Sequence, residues 1–312
     1  MSQIMKGSLL SCSAVLLLLL PWFGGLAVGK ISKDFSECLY YFYKNIPPRG
    51  IIGANYQPIC QEYNNIYRFA TLYHKWYKTP LFSAYILSKA DGPRPRVNWM
   101  YEPQLVNPYF PPDMRPFPEP VPKDVIESQA VDNDYKLSKL TRGHLNPSMH
   151  QMGEEDRIAT FTLTNIVPQE KGSNSGLWND WEKKVLQRKN YCIGPMYVIT
   201  GVIPYMSPSH WINNRVAVPE YIWSAYCCPE YSKPLPDHLE MFFPTYGAVG
   251  RNYRNSGGEI VPTAKTGENK GYEVSEMPLE TLEGILSNRL NQNRTVNLFD
   301  SKCLNAKKPI EN

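Results

Sequence analysis

Once one apolar segment is set aside, this chain holds an even six cysteines, and a fold that closes them into disulfides is the strongest constraint its sequence carries. The seventh, Cys12, lies inside the run Leu9 to Leu20, which follows a positive start at Lys6 and precedes Ala27-Val28-Gly29. Positive start, apolar stretch and small-x-small exit are the pattern of a secretory signal, so residues 1–29 read as a signal peptide. The run is short for a membrane span, and Pro21 and Gly24-Gly25 interrupt its end; an uncleaved anchor is the alternative. No later stretch approaches spanning length, so a secreted, extracellular chain without membrane insertion is expected. Cys38, Cys60, Cys192, Cys227, Cys228 and Cys303 would then be oxidised. Sequence leaves their pairing open, although loop length favours Cys38 with Cys60, and the neighbours Cys227 and Cys228 are ill placed to join each other. None has zinc-ligand spacing. Asn293-Arg294-Thr295 is a glycosylation sequon, whereas Pro147 disqualifies Asn146.

Charge narrows the partners only slightly. Beyond residue 29 there are 32 Lys and Arg against 29 Asp and Glu, a net +3 that permits a polyanionic substrate without requiring one. The 21 Tyr and 28 Pro point to a loop-rich fold. Eight of those prolines fall between Glu102 and Pro122, which reads as a surface loop rather than a helix or central strand.

Patterning along the chain places alternating elements. Residues 30–80 read as a Tyr-rich, irregular segment, with Ile66 to Tyr77 helical. Strands are expected at Phe82–Ser88, Ala159–Thr164, Met196–Ile203 and Tyr221–Tyr226. A Gly-, Ser- and Asn-rich loop spans Asn165–Gly176. Helices are expected at Leu177–Lys189, where Leu177, Trp178, Trp181 and Val185 recur at helical spacing, and at Leu279–Leu290. Strands on both sides of a central helix argue for a mixed α/β or α+β domain.

Two blocks carry chemistry. Phosphodiester hydrolysis needs a base for water, a cation for developing charge and donors that hold the phosphate. Thr141-Arg142-Gly143-His144-Leu145-Asn146-Pro147 supplies a base and a phosphate donor, with Gly143 free to bring the backbone close to a phosphate. The second block runs Thr164-Asn165-Ile166-Val167-Pro168-Gln169, continues through Asn174-Ser175-Gly176-Leu177-Trp178 and ends at Glu182. Taken singly, each residue has a duller reading: Asn174 a turn residue, Glu182 a solvated helix carboxylate beside Lys183, Arg142 a surface charge, Trp178 and Trp181 core.

Together the blocks resemble the DNA/RNA non-specific endonuclease family, the ββα-metal nucleases, whose signature is Asp-Arg-Gly-His, an Asn-Ile-x-Pro-Gln turn, a further Asn and Trp, and a helical Glu. The likeness extends more loosely from Leu81 to Phe299. It implies an α+β fold, a ββα-metal nuclease-like mixed sheet with a central catalytic helix, in one disulfide-linked domain. The divisions that follow are the signal peptide at 1–29, the Tyr-rich segment at 30–80, the endonuclease domain at 81–300 and a tail at 301–312. The resemblance implies a metal-dependent endonuclease acting on DNA and/or RNA without sequence preference. His144 would be the general base and Asn174 the sole direct ligand of Mg²⁺, or of another divalent cation such as Mn²⁺, which keeps most of its waters. Glu182 would hold metal-bound water, Arg142 would contact the phosphate, Asn165 would position the loop or the phosphate, and Arg96 matches a second family arginine.

One position departs from the signature. Thr141 stands where the family has Asp, a residue that would orient the Arg and His. Thr offers a hydroxyl and no charge, and Asp132 and Asp134, several residues upstream, read as unable to replace it without a different backbone path. This departure sustains an alternative, a catalytically degenerate nuclease fold serving as an extracellular binding protein. A disulfide-rich structural glycoprotein is a third reading, which accounts for the cysteines and the sequon and leaves both blocks unexplained.

Overall fold

The computed structural model describes residues 34–206, 210–263, 270–290 and 294–304. The signal segment, Asn293 and the tail beyond Leu304 lie outside them. Seven strands form the central sheet: β1 (Tyr56–Tyr63), β2 (Ile66–His74), β3 (Thr79–Ile86), β6 (Tyr197–Ile203), β7 (Tyr221–Cys227), β8 (Thr245–Arg251) and β9 (Val274–Met277). Their order is β1-β2-β3-β6-β7-β8-β9, and every ladder is antiparallel. A separate two-stranded ladder joins β4 (Thr141–His144) to β5 (Ile166–Gln169). The two long helices are α1 (Leu177–Arg188) and α2 (Leu279–Leu290). The α+β class therefore holds, on a sheet that is antiparallel rather than mixed.

Alternate residues of the central strands feed two cores, one on each face. Ala70, Leu72, Phe82, Ala84, Ile199 and Trp223 face α2, through Leu279, Leu282 and Leu286, and the N-terminal Phe35 and Phe42. Phe69, Tyr85, Val198, Val202, Ile222 and Tyr226 face α1 through Trp178, Trp181 and Val185, which confirms the core role of both tryptophans. Covering both faces hides the period-two alternation that marks a half-exposed strand. For that reason Ile66–Tyr77 looks helical in sequence and is instead β2, buried from Phe69 to His74. The segment before residue 80 is likewise not irregular: β1 and β2 form a hairpin closed by Asn64 and Asn65, both in the left-handed region (φ 53° and 57°) that a tight two-residue turn demands.

Two further expectations are corrected. Ala159–Thr164 is not a strand: it ends the helix Glu154–Ala159 and enters a 3-10 turn at Leu163–Asn165. Its β-branched threonines turn their hydroxyls inward, Thr162 donating to the Glu102 carboxylate (2.9 Å) and Thr164 to the same oxygen (3.2 Å). The strand begins only at Ile166. Within the Pro-rich stretch, Pro103–Val106 forms one helical turn with Pro at its first position, where a missing N–H costs nothing, and Arg115–Pro116 pairs with Met100–Tyr101.

Disulfides join Cys38–Cys60, Cys192–Cys228 and Cys227–Cys303. The first fastens the N-terminal segment to β1, and the adjacent pair Cys227-Cys228 sends its bonds to different partners, as expected. Among the described residues no helix is long and apolar enough to cross a membrane.

Candidate active site

Antiparallel pairing of β4 with β5 sets Thr141 opposite Gln169 and His144 opposite Ile166. Two-residue alternation then sends Arg142 and His144 to one side of the ladder and Thr141 and Gly143 to the other. The chain leaves β5 through the short turn Lys171–Asn174 and enters α1, completing a β-β-α unit.

His144 sits in an aromatic setting, 5.6 Å from the Trp99 ring and edge-on to Phe161 at 5.1 Å. It is 6% exposed, and its Nε2 has no hydrogen-bond partner among the described residues. Burial, reinforced by the Arg94 charge, holds the imidazole well below the ordinary histidine value. It is therefore neutral at physiological pH and able to accept a proton.

Arg142 shares that face, and its guanidinium lies 5.4 Å from the Trp99 ring and 5.3 Å from Tyr135. It donates to the Asp132 carbonyl (3.2 Å) and forms an ion pair with the Asp132 carboxylate. The different backbone path that Asp132 would need is present: the helix Asp132–Lys136 brings it back against β4.

Thr141 serves a different neighbour from the one expected. Its hydroxyl donates to the Gln169 carbonyl (2.7 Å) and accepts from Asn174 Nδ2 (2.9 Å), reaching neither Arg142 nor His144. With its NH₂ group held there, Asn174 keeps an amide oxygen that no described residue engages. Gly143 is required by packing. A Cβ there would fall 2.1 Å from Gln169 Oε1 and 2.9 Å from Gln169 Cβ, and the Gln169 side chain is itself tied to Ser173 Oγ (2.9 Å).

Asn165 is fully buried and fully used. Its Oδ1 accepts from Ser83 Oγ and Asn146 N–H (both 2.9 Å), and its Nδ2 donates to the Asn146 and Thr160 carbonyls (both 3.0 Å). It pins the start of the β4–β5 connection to the central sheet and presents nothing to a phosphate. Glu182, on α1, is pushed up to about 8 by burial, against the pull of Arg94, Lys183 and the Trp178 side chain. Lys183 pairs with Asp180 instead (3.3 Å). His150 supports this end of α1, joining Tyr85 Oη (2.9 Å) to the Glu182 carbonyl (3.0 Å).

Arg94 is the residue that sequence reasoning missed. Its guanidinium lies 4.9 Å from the Phe161 ring, and its charge acts on both His144 and Glu182. Arg94 and Arg96 are both exposed, and of the two it is Arg94 whose guanidinium lies against Phe161. The two flank Pro95, and nothing local in the sequence distinguishes them. Among the described residues no three His, Cys, Asp or Glu gather as a metal cage. That is compatible with a cation held by one amide oxygen, a carboxylate nearby and its own waters.

One ββα unit thus carries His144, Asn174 and Glu182. The DNA/RNA non-specific endonuclease profile matches residues 54–286, and the chain belongs to that family. It is 30% identical to the human endonuclease domain-containing 1 protein over 222 residues, covering 65% of this chain and 41% of that protein. It is 28% identical to the mitochondrial nuclease EXOG of Danio rerio over 163 residues, half of this chain and 45% of that one. The chain thus spans less than half the length of these curated relatives. The structure titled "Crystal structure of the EndoG/EndoGI complex: Mechanism of EndoG inhibition" superposes with a TM-score of 0.51 at 16% identity, covering 88% of this chain and 94% of that one, a likeness of fold.

Proposed function

We propose that this protein is a secreted nuclease that hydrolyses phosphodiester bonds of DNA and/or RNA with a divalent cation, Mg²⁺ or Mn²⁺. The observation that carries the reading is the neutral, buried His144 with an unpartnered Nε2, set in the same ββα unit as Asn174 and Glu182. Asn174 would hold the cation through its amide oxygen, and Glu182 would stand behind it. When bound, a divalent cation supplies Lewis-acid stabilisation of charge on the phosphate and the leaving oxygen. His144 takes the proton from the attacking water at a ring nitrogen. Its aromatic walls exclude bulk water and keep the ring uncharged until then. Arg94 provides positive charge beside His144 and Glu182 and favours an anionic substrate there. Arg142 and Asn165 act as positioning residues, the first against Trp99 and the second beneath the β4–β5 connection. Residues 1–29 would direct export, Asn293 would carry a glycan, and the nuclease domain would extend to residue 300.

Pairing of Arg142 with Asp132 favours a second reading, a nuclease fold kept for extracellular binding, because the arginine's charge is already matched by a carboxylate before any phosphate arrives. One experiment separates the two. Purified protein is incubated with plasmid and with RNA, in Mg²⁺, in Mn²⁺ and in EDTA, beside His144→Ala and Asn174→Ala. The nuclease reading expects metal-dependent cleavage, about 10²–10⁴-fold slower without the base. It also expects a raised Mg²⁺ requirement for Asn174→Ala. Cleavage by folded His144→Ala at the parent rate overturns the mechanism, and no cleavage by the parent with either cation leaves the binding reading.

A further inference from the structure

The turn between β2 and β3 meets the small hairpin Trp211–Ile212/Val216–Ala217 at one end of the sheet. Ala217 N–H donates to the Tyr77 carbonyl (3.0 Å), and the Tyr77 ring meets Trp211 edge-on at 5.7 Å while stacking on His74 at 4.0 Å. Between turn and hairpin lies a cleft of about 360 Å³ lined by Trp76, Lys78, Trp211, Asn214 and Arg215, within the size range of small-ligand sites. Trp76 is 70% exposed, an indole with apolar area to gain by being covered. The lining holds two cations and no acid. Arg215 is fixed in place by the Ile126 and Gln129 carbonyls and by the Asp134 carboxylate at 3.5 Å. The Lys78 ammonium makes no ion pair with a described residue, and burial and the nearby Arg215 charge hold it below the ordinary lysine value against the pull of Asp134 and Glu127. An anion beside it would relieve both effects.

We propose that this cleft is an exosite for a single-stranded stretch of nucleic acid, with bases stacked on Trp76 and Trp211 and phosphate oxygens meeting Lys78 and Arg215. The choice of occupant rests on the nuclease reading. Aromatic faces interleaved with cations suit unpaired bases and their backbone, whereas a duplex hides its base faces and a neutral ligand leaves Lys78 without an ion pair. The cleft also shares rigid support with the catalytic unit. Asp132 holds Arg142, and Asp134, in the same helical turn, accepts from Asn213 Nδ2 (2.8 Å) and Arg215. Ile212 and Val216 pack in one small core with Tyr135 and with Ile166 of β5.

The test is fluorescence anisotropy of labelled oligothymidylate with the full chain in EDTA, so that binding is read without cleavage. Trp76→Ala should weaken binding about tenfold, the scale of one lost base–aromatic stack, and barely change binding of a duplex of equal length. Lys78→Ala should lower the salt slope by about 0.7. Trp76 is so exposed that its removal should leave the unfolding temperature at the parent value. Trp211→Phe, which keeps a stacking face on a half-buried ring, should bind close to the parent. Parent-like affinity of Trp76→Ala overturns the proposal, as does an abasic oligonucleotide that binds as tightly as oligothymidylate. Tighter, Trp76-dependent binding of heparin would assign the cleft to sulfated polysaccharide instead. A parent that never cuts but binds oligothymidylate through Trp76 defeats the nuclease reading and leaves the exosite standing.

Discussion

Thr141→Val tests the most specific arrangement in the site. The substitution keeps the branched shape and removes a hydroxyl that donates to Gln169 O (2.7 Å) and accepts from Asn174 Nδ2 (2.9 Å). The first bond holds the hydroxyl itself, and only the second orients the amide whose oxygen would meet the cation. One such bond is worth about 1 kcal/mol net, and at this half-buried position water replaces part of it. The expected consequence is roughly a fivefold higher Mg²⁺ concentration at half-maximal cleavage, with a near-parent rate at saturating metal. Mn²⁺ binding followed by electron paramagnetic resonance should weaken by the same factor, a readout independent of turnover. Thr141→Ser keeps the hydroxyl and should match the parent. Thr141→Asp can accept from Asn174 but cannot donate to the Gln169 carbonyl, so it should fall between Ser and Val. If folded Thr141→Val matched Thr141→Ser in both metal titrations, the hydroxyl would not orient Asn174, and the reasoning would fail.

Four further outcomes follow from the geometry. Gly143→Ala should reduce cleavage and stability together, because its Cβ would lie 2.1 Å from Gln169 Oε1; a parent-like rate and unfolding temperature would show that Gln169 moves freely. The acid limb of kcat/KM should lie below the ordinary histidine range, since burial lowers the His144 value; a limb above pH 6.5 would contradict its burial. Burial raises Glu102 to about 7 from the ordinary 4.5, so the folded state holds that proton more tightly. Its contribution to stability is complete below pH 4.5 and lost as pH rises through 7; Glu102→Gln should flatten that decline, by at most about 3 kcal/mol, and equally steep unfolding-temperature profiles would refute this. Peptide mapping without reduction should recover the three disulfides described, and opening Cys227–Cys303, with its separation of 76 residues, should cost about 4–5 kcal/mol if loop-closure entropy dominates.

Legibility in the sequence followed the range of the interactions involved. Helix α2 matches its expected limits, Leu279 to Leu290, and α1 ends one residue before expectation, because each buries one stripe and keeps a visible period. The Arg-Gly-His and Asn-Ile-Val-Pro-Gln blocks were readable as chemistry through their resemblance to a family signature, but the two short strands that carry them were not, since Asn165–Gly176 reads as a loop and Ile166–Gln169 is β5. Strand β2 was not, since burial on both faces erases the alternation that identifies a strand. The threonines of Ala159–Thr164 looked like a strand because their propensity is local, while their partner Glu102 is some sixty residues away. Pairwise contacts across the fold were equally out of reach. Sequence proximity put Thr141 beside Arg142 and His144, but strand alternation turns it to the opposite side, where it meets Asn174. Only the return of the Asp132–Lys136 helix against β4 gives Arg142 its carboxylate, and only packing over Phe161 selects Arg94 above Arg96. The sequence by itself determined the chemical inventory and the local periodicities, because both are properties of neighbouring residues. The tertiary structure decided which side chains meet, because those distances depend on how the whole chain folds back upon itself.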